Sequence, residues 1–298
     1  MSKVFMPCFT VEKKVNYGLD IIGVKKLWEK SVKGKGVNIA IIDTGCDIEH
    51  QDLKKNIIGV YNFTSDDNGN PNNVTDYSGH GTHVSGIIGN QNKMNLIGIA
   101  PESNLLILKV INKSGTAYTK ILIEAIEYAL KWRGPDNSKI DIINLSLGTN
   151  KDNPKLQQVI NYGIKNNVIF VAAAGNGGDG RGDTDEINYP GFYKDVYQIG
   201  ATDQHNLPAS FSNSNKNIDF LAPGKDIISC FPDDQYAVLS GTSMAAPHVS
   251  GVIALIKSQY RSQGLEITNT TVLDYLKQKS IFLQNVPVRI QGLGLIQA

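Results

Sequence analysis

Short aliphatic segments alternate with helical patterns along this chain. Segments rich in Val, Ile and Leu predict four strands buried on both faces, at residues 37–42, 105–110, 140–145 and 168–173. Apolar residues recur at helical spacing from Leu122 to Leu130, and further helices are predicted over residues 155–166 and 243–260. This alternation indicates an α/β fold, in which a parallel central sheet is flanked by helices on both faces.

Composition and charge narrow the class of protein. The chain has 298 residues, of which 41% are hydrophobic and 19% are charged. Such a chain is typical of a globular protein with room for one large α/β domain. The formal net charge is +1, which argues against nucleic acid and anionic membranes as partners. No segment reaches the roughly 20 apolar residues that a membrane-spanning helix needs.

The cysteines and the first residues favour a reducing compartment. Cys8, Cys46 and Cys230 are few and odd in number, which is untypical of a disulfide framework, and we expect each to be a small buried residue. The first residues contain no apolar core of signal-peptide length. We therefore expect a cytoplasmic protein.

Three short motifs carry the candidate chemistry. Asp43 directly follows the first predicted strand, His80 is flanked by two glycines, and Ser243 opens the third predicted helix. Serine is a weak nucleophile near neutral pH, so it needs a base that accepts its proton, and the base needs an acid that holds its orientation. Ligands of parallel α/β sheets bind beyond the carboxyl ends of the strands, and Asp43 is predicted at that edge.

Each of these residues also has a plainer interpretation. His80 and His83 are three residues apart, the spacing of a metal pair, although no third ligand follows at matching spacing. We expect His83 to hydrogen-bond within its helix turn. Ser243 has the position of a helix N-cap, and we place Pro247 in the first turn of that helix, where proline is tolerated. Asn176 precedes two glycines, so it is either a turn residue or an oxyanion donor.

Together with their surroundings, these motifs resemble those of the subtilisin-like serine proteases, or subtilases. The similarity extends from about residue 35 to residue 296 and includes the segments 41–45, 79–84, 144–148, 173–176, 221–224, 241–247 and 292–296. The chain order of acid, histidine and serine is that of subtilisin. Residues 46–47, 57–63 and the acidic stretch 179–186 are most similar to the intracellular subtilisins of Gram-positive bacteria. The resemblance implies a subtilisin-like fold and a serine endopeptidase that hydrolyses proteins, as in intracellular protein turnover.

The resemblance assigns a catalytic role to four residues. Ser243 is implied as the nucleophile, His80 as the general base and acid, and Asp43 as the orienting carboxylate. Asn176 and the backbone N–H of Ser243 are implied as the donors that stabilise the oxyanion.

The resemblance also implies a substrate-binding cleft. An extended substrate would pair with one segment as an added strand, and a second segment would form the opposite wall of the primary specificity pocket, with one residue at its floor. The pairing segment is Ser146, Leu147 and Gly148, the opposite wall is Ala173, Ala174 and Gly175, and the floor residue is Asn188. Because many relatives have glycine at the floor, the asparagine predicts a shallower pocket.

Calcium is the cofactor that the resemblance implies. Asp52 matches the aspartate ligand of the family's strong site, whose partner loop, about residues 90–96, is one residue shorter here and contains Lys93. A second site would combine carbonyl groups near residues 191, 193 and 196 with Asp219. Calcium takes six to eight oxygen ligands, and a lysine near the site opposes it.

The domain prediction divides the chain into an N-terminal inhibitory extension, residues 1–20, and a catalytic domain, residues 21–298. Residues 5–8 resemble the inhibitory element of intracellular subtilisins. Phe5 and Met6 would fill apolar subsites, and Pro7 would disturb the strand register where cleavage should occur. The alternative is a mobile tail. The acidic loop at 179–186 is either a solvated loop or the contact of a homodimer.

Two other functions compete with general proteolysis. A dedicated processing peptidase for one precursor would have the same cleft. A non-catalytic peptide-binding scaffold would have an incomplete triad, whereas this sequence contains all three members.

Overall fold

Parallel strands form the central sheet of this computed structural model, which describes residues 16–29, 33–91 and 96–298. In the order in which they lie side by side, the strands are β2 (Ile57–Asn62), β3 (Asn104–Lys109), β1 (Asn38–Asp43), β4 (Ile142–Leu145), β5 (Ile169–Ala173), β6 (Tyr197–Thr202) and β7 (Phe220–Pro223). Every neighbouring pair is parallel. An antiparallel hairpin of β8 (Ile227–Phe231) and β9 (Gln235–Leu239) follows.

Helices cover both faces of this sheet. In chain order, the described helices are α1 (Tyr17–Ile22), α2 (Val24–Trp28), α3 (His80–Gly89), α4 (Thr119–Lys131), α5 (Pro154–Lys165), α6 (Thr242–Ser262), α7 (Asn269–Lys279) and α8 (Val288–Gln291). Buried residues of α4 and α5 form one core with one face of the sheet, and those of α3, α6 and α7 form the other core. The predicted fold class is therefore confirmed.

The predicted strands agree with β1, β3, β4 and β5 to within two residues at each end. Strands β2, β6 and β7 are absent from the prediction because their sequences lack a continuous aliphatic run. Strand β2 is only half-buried for most of its length, β6 contains glutamine, glycine and threonine, and β7 has four residues and ends in proline.

Small residues allow α6 to lie close to the sheet. Ala245, Ala246 and Ala254 are fully buried. A Cβ added at Gly251 would lie 2.5 Å from the Cβ of Ile99, a distance that real side chains do not reach. The helix that begins next to Ser243 is therefore held rigidly against the core.

Helix α1 packs against the C-terminal end of the chain. Leu19 and Ile22 are buried, the N–H of Ala298 donates to the carbonyl of Ile22 at 2.9 Å, and Tyr17 donates to the carbonyl of Lys225 at 2.5 Å. The predicted boundary at residue 20 lies inside this helix, and Gly18 and Leu19, which precede it, are buried. Residues 1–15, with the predicted inhibitory element, lie outside the described residues. Of the helices in the described ranges, none is long and apolar enough to cross a membrane.

Candidate active site

The candidate acid lies at the carboxyl edge of the sheet. Asp43 is the last residue of β1, which pairs with β3 on one side and β4 on the other. Its side chain is 1% exposed. Oδ1 of Asp43 accepts from the backbone N–H of Thr44 at 2.7 Å and lies 2.7 Å from Nδ1 of His80. The structure thus brings the predicted acid and the predicted base into direct contact.

A glycine fixes the direction of the candidate base. His80 is the first residue of α3 and follows Gly79, which has a φ of 80°. A Cβ at Gly79 would lie 2.1 Å from the ring of Phe231, so both the backbone angle and the space require glycine there. The ring of His80 is 28% exposed, and its other nitrogen, Nε2, remains available to a reactant.

Two opposing effects set the pKa of His80. Burial lowers it, whereas the charge of Asp43 and the hydrogen bond to Asp43 raise it. The net direction is upward from the ordinary value. When the imidazole is neutral, the contact with the carboxylate keeps the proton on Nδ1, which leaves Nε2 as a proton acceptor.

Ser243 is the second residue of α6. Its hydroxyl donates to the carbonyl of Ser146 at 3.0 Å, so the structure shows it against the predicted substrate-pairing segment and not bonded to His80. Ser146 follows β4, the neighbour of β1, so Ser243 lies one strand away from Asp43. Catalytic hydrogen bonds of free enzymes often form only with substrate, and other staggered rotamers would redirect the hydroxyl.

Pro247 has a different position from the one predicted. It is the sixth residue of α6 and lies in the second turn. Because proline has no N–H, the carbonyl of Ser243, four residues earlier, lacks its helical partner. The hydroxyl of Ser146 supplies one by donating to that carbonyl at 2.8 Å. Nδ2 of Asn144 donates to the same hydroxyl at 3.0 Å, so the backbone of Ser243 is tied to the end of β4.

The carboxamide of Asn176 has a defined orientation. Its oxygen accepts from the backbone N–H of Thr242 at 2.8 Å and from the Thr242 hydroxyl at 2.9 Å. Since a backbone N–H requires an acceptor, the amide nitrogen must point away from Thr242. That nitrogen lies 3.2 Å from where a Cβ of Gly241 would be. A free N–H donor thus lies at the N-terminus of the helix that carries Ser243.

Asn213 orders the turn that carries Asn176, a role that the sequence analysis missed. It is 5% exposed. Its Nδ2 donates to the carbonyl of Ala174 at 2.8 Å, and its Oδ1 accepts from the N–H of Gly177 at 2.7 Å. Both bonds span more than 35 residues of chain, and no local motif marks Asn213, so sequence spacing contains no signal for it.

The predicted pocket residues lie together. The segments of Ser146 and Ala173 continue from neighbouring strands, β4 and β5. Asn188 lies between the two segments: a Cβ at Gly148 would be 2.0 Å from Nδ2 of Asn188, and one at Gly175 would be 3.2 Å from the Cβ of Asn188. The remaining predicted residues, Leu147 and Ala174, are half-buried and buried, respectively.

His83, the second histidine of α3, contacts the β8–β9 hairpin and not its own helix turn. Nε2 of His83 lies 3.0 Å from the carbonyl of Ile227 and 3.1 Å from that of Ala237. The expected bond within the helix turn is therefore wrong, because the hairpin of β8 and β9 supplies the acceptors. Burial lowers the pKa of His83 to about 3, so the ring is neutral.

The described residues contain no group of three or more His, Cys, Asp or Glu side chains that could hold a metal ion. Any cation in this part of the chain would therefore need backbone carbonyls or side-chain amides in addition to at most two such side chains. The carboxylate of Asp52 accepts a hydrogen bond from the hydroxyl of Tyr236, and Lys93 lies outside the described residues. The phenol is a neutral partner of one carboxylate oxygen, so Asp52 remains chemically able to bind a cation.

Asp219 fits a cation better than Asp52 does. Its Oδ2 accepts from the backbone N–H of Gln198 at 2.8 Å. Burial, reinforced by the charge of Asp195, raises the pKa of Asp219 to about 7. It lines a cavity of about 1090 Å³ together with two of the predicted neighbours, Tyr193 and Val196; whether their carbonyl groups bind a cation stays a prediction. A carboxylate whose charge is poorly compensated and oxygen ligands are what calcium prefers.

Cys46 and Cys230 are buried free thiols, and burial raises the pKa of both. This agrees with the prediction of small buried residues for these two. Cys8 lies outside the described residues.

Comparison with known proteins gives this site its context. A profile of the subtilase family matches residues 34–294. An intracellular serine protease of Paenibacillus polymyxa is 42% identical over 96% of this chain and 86% of its own length. The major intracellular serine protease of Bacillus subtilis (strain 168) is 46% identical over 81% of this chain and 74% of its own. Subtilisin DY of Bacillus licheniformis is 37% identical over 83% and 85%. The chain therefore belongs to the subtilase family and is a serine endopeptidase, as its resemblance predicted.

Proposed function

We propose that Asp43, His80 and Ser243 form the catalytic triad of this endopeptidase, and that Asn176 is an oxyanion donor. The observation that carries the proposal is the 2.7 Å contact between Asp43 and Nδ1 of His80. It supports a neutral imidazole with a free Nε2 at the edge where Ser243 is anchored through Ser146.

The reaction then follows from the protonation states. Ser243 Oγ attacks the carbonyl carbon of the substrate peptide bond while its proton passes to Nε2 of His80. The imidazolium is stabilised by the carboxylate of Asp43 and gives the proton to the departing amine, which leaves an acyl-enzyme on Ser243. Water, deprotonated by His80, attacks this ester. The acid product leaves and the serine hydroxyl is restored.

The negative charge that develops on the substrate oxygen needs donors that are already in place. Nδ2 of Asn176 and the backbone N–H of Ser243 lie at the N-terminus of α6, where the helix dipole also favours negative charge. The bonds from Thr242 to the oxygen of Asn176 fix this donor before substrate arrives. No reorganisation of the amide is then required during the reaction.

The substrate would bind as an added strand. Ser146, Leu147 and Gly148 extend β4 beyond its pairing with β5, so a peptide in extended form finds backbone donors and acceptors there. The carboxamide of Asn188 lies between Gly148 and Gly175 and takes up space in the pocket. We infer a preference for small residues before the cleaved bond, over large aromatic ones.

Hydrolysis of unfolded casein tests the triad. Ser243→Ala should remove activity, by the factor on the order of 10⁶ in kcat that was measured for subtilisin itself. Ser262→Ala, which changes an exposed serine at the far end of the same helix, should keep full activity. Substantial hydrolysis by pure Ser243→Ala protein would contradict the proposal.

The setting that we propose is protein turnover in the cytoplasm. Two relatives are named as intracellular serine proteases, and the two described cysteines are free, as is usual in a reducing compartment.

A homodimer would use the acidic loop at 179–186. Two acidic residues of this loop already have partners within the same chain: Asp183 pairs with Arg181 at 2.8 Å, and Asp185 pairs with Arg289. Analytical ultracentrifugation, which measures the mass in solution, distinguishes the monomer from the dimer.

Calcium is proposed as a structural cofactor, with Asp219 as the ligand that the site chemistry supports more strongly and Asp52 as the second candidate. A bound cation would neutralise the buried carboxylate of Asp219 and stabilise the folded state by mass action. No catalytic step depends on it.

The first residues of the chain are proposed to inhibit the enzyme. Tyr17 is anchored to the carbonyl of Lys225, next to Gly224, whose carbonyl accepts from the N–H of Gly241 at 2.8 Å. This anchor lies beside the start of the helix that carries Ser243. An extended segment of the preceding 15 residues reaches at most about 50 Å, which is ample for the cleft.

A shortened chain tests this inhibition. It should begin at Asn16, because Asn16 caps α1 by accepting from the N–H of Gly18 at 3.0 Å. We expect the shortened chain to be more active than the full chain, and Pro7→Ala to speed self-trimming. Equal activity of both chains, with no trimming of the full one, would show that the segment does not inhibit.

A further inference from the structure

A buried carboxylate joins the segment of the acid to the segment of the base. Asp76 is 5% exposed and lies four residues before His80. Its two oxygens accept five hydrogen bonds: Oδ1 from Thr44 Oγ at 2.8 Å, Ser78 N at 3.1 Å and Gly79 N at 2.9 Å, and Oδ2 from Thr82 N at 2.8 Å and Thr82 Oγ at 2.7 Å. A buried charge with this many donors is held in one position.

Thr44 connects this carboxylate to the acid. Its backbone N–H donates to Oδ1 of Asp43 at 2.7 Å, and its hydroxyl donates to Asp76 at 2.8 Å. The same hydroxyl accepts from the N–H of Gly81 at 2.9 Å, the residue after His80. One threonine therefore touches the acid, the buried carboxylate and the helix that carries the base.

The local sequence explains why α3 needs such a partner. Its N-cap residue, Gly79, has no side chain to accept from the first N–H groups of the helix. Asp76 and Thr44 accept from them instead, and a negative charge at a helix N-terminus is stabilising. The approach is close, since a Cβ at Gly81 would lie 3.2 Å from the Cβ of Asp43.

We propose that Asp76 and Thr44, here called the Thr44–Asp76 clamp, are positioning residues that hold His80 at the correct distance from Asp43, and that the charge of Asp76 stabilises the imidazolium formed during catalysis. This inference rests on the triad proposed above and extends it. The clamp touches neither substrate nor the reacting atoms.

The charges around His80 support the electrostatic part of the inference. Burial lowers the pKa of His80, whereas Asp43 and, to a smaller extent, Asp76 raise it. Asp76 is thus the second anion that acts on the base, in addition to the acid of the triad.

The other ionisable groups packed against α3 in the described part of the chain leave this assignment intact. Burial lowers the pKa of His83 to about 3 and that of His248, on α6, to about 4, so both are uncharged above pH 5. Burial raises the pKa of Cys46, after β1, and of Cys230, on β8, so both are neutral thiols. Lys109, on β3, is 3.3 Å from Asp66 and is compensated by it.

Asp76→Asn tests the charge. An asparagine has one acceptor oxygen and one donor group, so it cannot accept from both sets of N–H donors. We expect kcat to fall about 10-fold with KM nearly unchanged. The acidic midpoint of the kcat/KM profile should move to lower pH by about half a unit or more, because loss of a nearby anion lowers the pKa of a histidine.

Thr44→Val and Thr44→Ser separate position from charge. Valine removes the hydroxyl and leaves Asp76 in place, so kcat should fall about 10- to 100-fold while the acidic midpoint stays where it is. Serine retains the hydroxyl and should restore most of the lost activity. This pair also tests the clamp if Asp76→Asn does not fold.

Asp136→Asn is the control for charge alone. Asp136 is exposed in the loop before β4, at the opposite edge of the sheet, and its substitution should change neither kcat nor the midpoint.

A Thr44→Val enzyme with the kcat of the native enzyme would overturn the positioning role of the clamp. A folded Asp76→Asn enzyme with an unmoved midpoint would overturn the effect of the Asp76 charge on His80. Activity of His80→Ala would instead overturn the triad, so the two failures are distinguishable.

Discussion

The two edges of the central sheet use polar groups in different ways. At the carboxyl edge, Asp43 and Asn176 have short hydrogen bonds to fixed partners. At the amino edge, the ends of β5, β6 and β7 border a cavity of about 1090 Å³ with Asp219 in its wall. One edge is organised before any ligand binds, as catalysis requires, whereas the other contains a carboxylate whose charge the protein compensates poorly.

The same contrast exists within one helix. His80 and His83 are one turn apart on α3, but the pKa of His80 is raised and that of His83 is lowered to about 3. His80 contacts a carboxylate and remains 28% exposed, whereas His83 is fully buried against backbone carbonyls. Residue type alone therefore does not distinguish His80, the proposed base, from His83: the neighbouring charge and the exposure do.

Removal of the proposed oxyanion donor, Asn176, should disrupt the organisation of the carboxyl edge. Asn176→Ala should lower kcat by about 10²- to 10³-fold, the loss measured for the corresponding type of change in subtilisin, with a small change in KM. Thr270→Ala, at the cavity of the amino edge, should leave kcat unchanged. Steady-state kinetics on one peptide substrate compares the two edges directly, and an Asn176→Ala enzyme with native kcat would remove the oxyanion role.

The pocket at the carboxyl edge offers a sharper test of geometry. Asn188→Gly empties the space between Gly148 and Gly175, so kcat/KM for a peptide with a large aromatic residue before the cleaved bond should rise by roughly 10- to 100-fold. A peptide with alanine at that position should gain little. An unchanged ratio between the two peptides would mean that Asn188 does not limit the pocket.

The smallest expected effect concerns the amino edge. A chelator should lower the melting temperature by a few degrees if a cation compensates Asp219. Asp219→Asn should abolish most of that shift, and Asp52→Asn should have the smaller effect, because Asp219 is the buried carboxylate whose pKa is raised. Scanning calorimetry in metal-stripped buffer measures all three proteins, and an unshifted native enzyme would remove calcium from this account.

Sequence reasoning was strongest where the signal is local. Short motifs predict Asp43 and His80 as site residues, and aliphatic runs predict the strands that end near them, because each prediction depends on neighbours in the chain. The structure then brought the acid and the base to within 2.7 Å.

Hydrogen bonds between residues that are remote in sequence do not follow from local patterns. The acceptors of His83 are 144 and 154 residues away, so a bond within its helix turn was the wrong expectation. Ser146 and the carbonyl of Ser243 are 97 residues apart, and Asp76 and Thr44 are 32 residues apart. Such bonds follow from how the segments pack, which no local pattern encodes.

The central claim is that His80 activates Ser243 as a nucleophile at the carboxyl edge of the sheet. Covalent labelling of the serine tests this claim most directly. A peptide phosphonate or a sulfonyl fluoride, followed by peptide mapping, should modify the native enzyme once, at Ser243. The rate should fall as His80 becomes protonated and should be lost in His80→Ala, while Ser262 in the same helix stays unmodified. Failure of the folded, active enzyme to react, or modification at a serine other than Ser243, would contradict the account.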